Sequence, residues 1–368
     1  MDFTPGEAET EAARLAARVL RAAAPSTADF DDALWKQLGH AGLLSLALPD
    51  AIGGDDLGVL ATAAVLAEVG RYAARVPALA TLALGVLPVV RGAEAGVRGR
   101  LLAGVAAGDT VLTAALREPS DPMPRTPTTM VSTSMSGSGA TVTGVKTGVP
   151  YAAAARWILV PATTPAGTVV AVVEQGAAGL ACQRTRSSSG LPEYTLRLDR
   201  TPVLAMLDGC DGDAIYEFAA VGACAVADGA VAAALELTTA HIRSREQFGR
   251  PLATFQAVAQ QIADVYAAAR TLHLAVLSAC WRLDTGRDAG EDADVAAYWL
   301  AQHGPPALRT CHHLHGGLGM DVSYPLPRYS ALITDLVSLI GGTEYRLDRL
   351  SWREQACREA AATGSGGD

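Results

Sequence analysis

The sequence predicts an α+β fold laid out in three consecutive segments: helical, then strand-rich, then helical again. Three observations predict it. Up to about residue 110 the chain is dominated by Ala and Leu. From Val111 to about Val203 it turns rich in Thr, Val, Ser, Gly and Pro. Beyond about Asp211 helical periodicity returns, and Ile262, Val265, Ala269, Leu272 and Val276 recur at spacings of three and four, one face of a long helix. A chain of 368 residues suits two or three domains rather than one core. The expected units are an N-terminal helical domain (1–110), a central β domain (111–208), a C-terminal helical domain (209–360) and a disordered tail (361–368).

In the first unit, 9–24 reads as a helix. So does 31–42, with Asp31 or Asp32 at its start and Gly42 as its stop. A third helix is expected over 60–74, with Pro77 just beyond. Between the last two, Pro49 followed by Gly53 and Gly54 signals a loop. In the second unit, 140–146, 157–160, 168–173 and 194–199 read as strands, the last with apolar–polar alternation. The stretch 121–138 is polar and reads as a long loop. In the third unit long helices are expected over 214–244 and 253–284, with Gly286 as the stop of the second. Their Ala-rich faces suit close helix packing and predict that the chain is not a stable monomer.

Composition narrows the function. A net charge of −9 disfavours nucleic acid as a partner. No apolar run reaches about 18 residues without a charge, Gly or Pro, so no membrane span is expected. The acidic start has neither an n-region nor an h-region of a signal peptide. The six cysteines are scattered without a C-x-x-C, which predicts reduced thiols and a cytoplasmic location. Lys36 and Lys146 are the only lysines, a compositional bias without functional content.

Two blocks carry a family signal. One is Arg245, Gln247, Phe248, Gly249 and Pro251, followed by Phe255 and Gln256. The other is His315, Gly316, Gly317 and Gly319, then Tyr324 and Pro325, then Gly341, Gly342 and Thr343. They resemble the R-x-Q-F-G-x-P…F-Q stretch, the [FH]-G-G-x-G turn, the Y-P and the x-G-T of the acyl-CoA dehydrogenase family. Near the N-terminus, the turn around Pro49, Gly53 and Gly54, and Glu68, Gly70 and Arg71, are similar to that family too. The resemblance covers nearly the whole chain. It implies a helical domain, a β-barrel or sandwich domain and a C-terminal four-helix bundle. It also implies FAD, an acyl-CoA substrate and desaturation between Cα and Cβ. In that reaction a carboxylate removes an α-proton while flavin accepts a hydride, so the base and the cofactor must be placed with tight geometry.

The resemblance locates two family positions for the base, and both lack a carboxylate. The residue before the G-T is Gly341, and the alternative on the preceding helix falls near Ala219, with Ala220 where many members keep Arg. Glu217 is two residues away, a turn of about 200° on a helix and so on another face. Glu344 fits backbone orientation better than proton abstraction, and Asp228 fits a side chain at a subunit contact. On the flavin side, the ring-binding loop of the family becomes Arg117, Glu118, Pro119, Ser120 and Asp121, and the later ring contact becomes Gly148 and Pro150 after Lys146. Gly148 has no side chain to pack on a ring, and Pro150 has neither hydroxyl nor N–H. The contacts that the family makes to the adenine and pyrophosphate of a neighbouring subunit's flavin look retained. The resemblance assigns them to Arg245, Gln247, Phe248, Gln256, His313, Gly316, Gly317 and Thr343. A metal reading of Cys311, His312, His313 and His315 is set aside, because a zinc site needs three or four convergent ligands. The pattern is similar to the base-lacking subunit type of actinobacterial α2β2 acyl-CoA dehydrogenases, several of which act on steroid side chains. A self-sufficient homo-oligomeric dehydrogenase with an unrecognised base, and a flavin-free scaffold or acyl-binding protein, are the alternatives.

Overall fold

The computed structural model describes residues 6–23, 26, 28–133, 139–210 and 212–364. Helix α1 (Glu7–Ala22) buries Ala12, Ala16 and Leu20, one stripe at spacing four. Helix α2 (Asp32–His40) is capped by Asp31, whose carboxylate accepts the Leu34 amide at 3.0 Å. Helix α3 (Val59–Arg71) stops three residues earlier than expected, and Ala73 takes a positive φ of 44°. After Pro77 comes a segment the sequence did not announce: a wide π-type turn over Leu79–Val86 running into α4 (Leu87–Gly92). Pro88 has no N–H for the α-helical bond back to residue 84, which favours the looser register. Helix α5 (Ala95–Leu102) closes the unit.

The strands are β1 (Leu112–Ala114), β2 (Met130–Thr133), β3 (Ala140–Pro150), β4 (Trp157–Thr164), β5 (Gly167–Glu174), β6 (Leu180–Thr185), β7 (Glu193–Pro202) and β8 (Ala205–Leu207). They form one eight-stranded mixed sheet, β6-β7-β3-β2-β4-β5-β8 with β1 on β4. β4 explains how the sheet joins the helices. Ile158, Val160 and Ala162 belong to the sheet's own core, while Trp157 and Leu159 belong to the helical core. A strand buried on both faces needs a continuous apolar run, and it has one. The expected polar loop 121–138 is corrected in part. Met123 is fully buried and Met130–Thr133 is a strand; residues 134–138 lie outside the described residues.

Helix α6 (Gly212–Ser244) is followed by a small hairpin of β9 (Glu246–Gln247) and β10 (Arg250–Pro251). Then come α7 (Gln256–Asp284), α8 (Gly290–His315), α9 (Leu326–Leu339) and α10 (Gly342–Gly364). α6 packs against α7, α8 and α9, and α10 lies along α8. The 33 residues of α6 span about 50 Å. By length and composition α6 could cross a membrane, yet 83% of its most apolar window is buried inside the molecule. It crosses α3 at backbone contact: a Cβ on Gly229 would fall 1.7 Å from the Ala67 carbonyl oxygen, and one on Gly70 1.8 Å from that of Val226. The predicted stripe of α7 holds, with Val265, Leu272 and Val276 buried. α10 continues into the first four residues of the expected disordered tail.

Candidate functional site

Between the sheet unit and the helices lies a narrow crevice of about 90 Å³. Its apolar wall comes from Val69, Val76, Leu79, Val226, Leu336 and Leu339. Its polar members include Arg117, Glu193 and Asp335. Next to it is an open cleft of about 430 Å³ that reaches Ser338, Gly341 and Gly342.

The structure places the carboxylates near the two base positions away from the crevice. Glu217 does not line the crevice; its Oε1 sits 3.4 Å from Arg353 Nη2 of α10. Burial pushes its carboxyl up to about 6, against the pull of Arg353. Glu344 is exposed at the start of α10, and Asp228 meets His273 Nδ1 at 2.8 Å. Ala219 and Ala220 are buried in the core. Gly341 has φ +90°, and a Cβ there would lie 2.6 Å from Tyr345 Cδ1 and 2.7 Å from Pro122 Cγ.

Sequence reasoning missed Asp335 and Glu193. Asp335 accepts the Ser188 amide at 2.7 Å, the Ser189 amide at 2.9 Å and the Ser189 hydroxyl. These three bonds make the carboxylate the anchor of the 187–191 loop. Glu193 accepts the Thr185 hydroxyl at 3.2 Å.

Two residues before Gly148 on β3, Lys146 takes part in a buried ion pair. Lys146 Nζ donates to Glu118 Oε1 at 2.9 Å, and both side chains are almost fully buried. Burial opposes the charge on Glu118, but the Thr128 hydroxyl, Lys146 and the Thr129 amide outweigh it and hold the carboxyl down at about 2. Further along β3, at the crevice, Gly148 has φ +63° and Pro150 accepts the Thr113 hydroxyl through its carbonyl at 2.7 Å.

The second group of predicted residues sits at the far end of α6. The turn of the β9–β10 hairpin is Phe248 and Gly249, both at positive φ (53° and 76°), the two-residue geometry that matches strand twist. A bulky residue seldom adopts that conformation, and Phe248 is 92% exposed as well. A strained, solvent-facing aromatic marks a contact surface. Arg245, Gln247 and Gln256 are exposed around it. His241 of α6 stacks on His315 of α8 with centroids 4.4 Å apart, which joins this hairpin to the turn at Gly316 and Gly317. His315 is held by the Cys311 carbonyl at 2.8 Å and the Tyr324 hydroxyl at 3.1 Å. His313 points out to solvent, and His312 meets Ser330, so these side chains diverge. Among the described residues no group of three His, Cys, Asp or Glu converges as a metal would require. Thr343 stands apart from the hairpin group, next to Gly341 and Gly342 at the open cleft.

Residues 7–109 match the family described as acyl-CoA dehydrogenase, N-terminal domain, and residues 216–349 that described as acyl-CoA dehydrogenase, C-terminal domain. Acyl-CoA dehydrogenase FadE28 of Mycobacterium tuberculosis is 42% identical over 355 residues, 96% of this chain and 99% of that protein. The solved structure of a Tcur3481-Tcur3483 steroid ACAD variant is similar with a TM-score of 0.90 at 34% identity, covering 98% of this chain and 100% of that one. The ChsE4-ChsE5 complex from Mycobacterium tuberculosis is similar with a TM-score of 0.90 at 31% identity, covering 97% and 99%.

Proposed function

This chain belongs to the acyl-CoA dehydrogenase family, and from that premise we propose that it is the catalytically incomplete subunit of a hetero-oligomeric, FAD-dependent acyl-CoA dehydrogenase. The observation that carries the proposal is the double absence at the base positions. Gly341 has no room for a side chain, and Ala219 and Ala220 are sealed in the core. FAD supplies hydride acceptance when bound. The residues that line this chain's crevice do not fit its ring: the space is about 90 Å³, and ligand pockets run roughly 300–1,000 Å³. The hairpin end fits the other half of the cofactor. Arg245 offers charge-assisted donors to a pyrophosphate, Phe248 an exposed ring for an adenine, and Gly316 and Gly317 a bare backbone.

The subunit that completes the site is a homologous dehydrogenase carrying the glutamate and the ring pocket, so that each pair holds one flavin. The exposed apolar side chains Tyr266 and Leu274 of α7 suit burial against such a partner. The likeness to the steroid ACAD variant favours a bulky acyl thioester as substrate, and the likeness to the ChsE4-ChsE5 complex favours a two-component assembly. The free thiols of Cys182, Cys224, Cys280 and Cys311 fit a reducing, cytoplasmic setting.

The proposal is tested on the assembled complex. Glu217→Gln, Glu344→Gln, Asp228→Asn, Glu193→Gln and Asp335→Asn are each expected to keep activity within about tenfold. Loss of a true general base costs about 10²–10⁴. A drop of that size in one variant, with fold and flavin content intact, would return the base to this chain and support a self-sufficient enzyme.

A further inference from the structure

The crevice already has an occupant, and it is a cation. Arg117 follows β1, and its carbonyl accepts the Thr147 amide at 2.9 Å, which fixes the root of its side chain beside Gly148. The side chain then runs over Gly148. A Cβ built at 148 would lie 3.2 Å from Arg117 Cδ and 3.1 Å from Nη1, so the arginine fills the volume that a larger residue there would take. Its far end donates to Ser338 Oγ of α9 at 2.8 Å, spanning from the sheet unit to the helical unit. Its Nε is buried and has no partner. Buried guanidinium donors are normally satisfied, so hydrogen bonding alone does not account for this placement. Arg117 is also the one described residue that lines both the inner crevice and the outer cleft.

We propose that Arg117 is a built-in partition that closes the crevice to a planar ring, and that it determines whether this chain holds a flavin ring of its own. The inference rests on the incomplete-subunit reading and adds the residue that enforces it. With the side chain gone, crevice and cleft become continuous, and Val226, Leu336 and Leu339 offer apolar wall to a three-ring system. A ring that buries its faces gains affinity in proportion to the apolar area removed from water.

The test is a titration with lumiflavin, the bare isoalloxazine, followed by quenching of its fluorescence. Arg117→Ala is expected to bind at least about tenfold more tightly than the unaltered protein. Ser338→Ala removes only the anchor of the guanidinium. It is expected to shift affinity the same way by less, and it carries the test if Arg117→Ala does not fold. Weak binding by all three proteins, with circular dichroism unchanged, overturns the inference and leaves the incomplete-subunit reading standing. Binding by the unaltered protein as tight as by Arg117→Ala would mean an open ring site, and would overturn both.

Discussion

Restoring a glutamate at Gly341 is the obvious way to complete this chain, and the structure predicts that it fails. Gly341 sits at φ +90°, a region that L side chains rarely enter. The left-handed conformation alone costs a non-glycine residue about 1–2 kcal/mol. A Cβ would lie 2.6 Å from Tyr345 Cδ1 and 2.7 Å from Pro122 Cγ, closer than van der Waals contact allows. Tyr345 cannot simply swing aside, because its hydroxyl donates to the Met123 carbonyl. Overpacking of this kind costs about 1–3 kcal/mol. Gly341→Glu should therefore lose about 2–5 kcal/mol in urea denaturation followed by circular dichroism. The clash begins at Cβ, so Gly341→Ala should lose nearly as much. Neither variant alone should desaturate an acyl-CoA. A Gly341→Glu chain as stable as the unaltered one, with new dehydrogenase activity of its own, would show that position 341 has room for the base.

Other consequences follow from buried charge and close packing. Lys146→Met strands the Glu118 carboxylate in the core and should cost about 3–5 kcal/mol; a loss below about 1 kcal/mol would show that the pair is dispensable. Because Glu118 is held down at about 2 from 4.5, its contribution of about 3 kcal/mol is full above pH 4.5 and is lost as pH falls towards 2. Glu217 has the opposite sign. Its carboxyl is raised from 4.5 to about 6, so stability is full below pH 4.5 and falls by about 2 kcal/mol as pH rises through 6. Glu217→Gln should accordingly be as stable as the unaltered chain at pH 7 or more so, and denaturation at pH 4.5 and 7 would detect the reverse. Gly229→Ala forces α6 away from the Ala67 carbonyl and should cost about 1–3 kcal/mol or more, readable as a lowered melting temperature.

The elements legible in the sequence were those with a strong period or a clear stop. The stripe Ile262, Val265, Ala269, Leu272 and Val276 placed α7, and the pair Asp31 and Asp32 placed the start of α2. The segment Leu79–Val86 escaped because it is apolar on nearly every side and has no polar face to set a period. β6 (Leu180–Thr185) escaped because its side chains, unlike those of β4, are not fully buried, and its sequence mixes Cys, Gln, Arg and Thr. For Glu217, spacing gave only a face different from that of Ala219; its burial against Arg353 depends on α10 and was not readable. Arg117 was not readable as an occupant, because nothing in a loop arginine signals that it will lie over a glycine 31 positions later. Asp335 was missed for a similar reason. On a helix face an acidic residue reads as solvated, and only the fold brings the Ser188 and Ser189 amides to it.

If the ring and the base of the flavin belong to the partner while this chain holds the pyrophosphate, loss of Arg245 must weaken FAD binding by the complex. The most direct measurement titrates FAD into the apo-complex with and without Arg245→Ala. A charge-assisted contact is worth about 1.5–3 kcal/mol, so the variant is expected to bind FAD roughly ten- to hundredfold more weakly. An unchanged FAD affinity in the Arg245→Ala complex would contradict it.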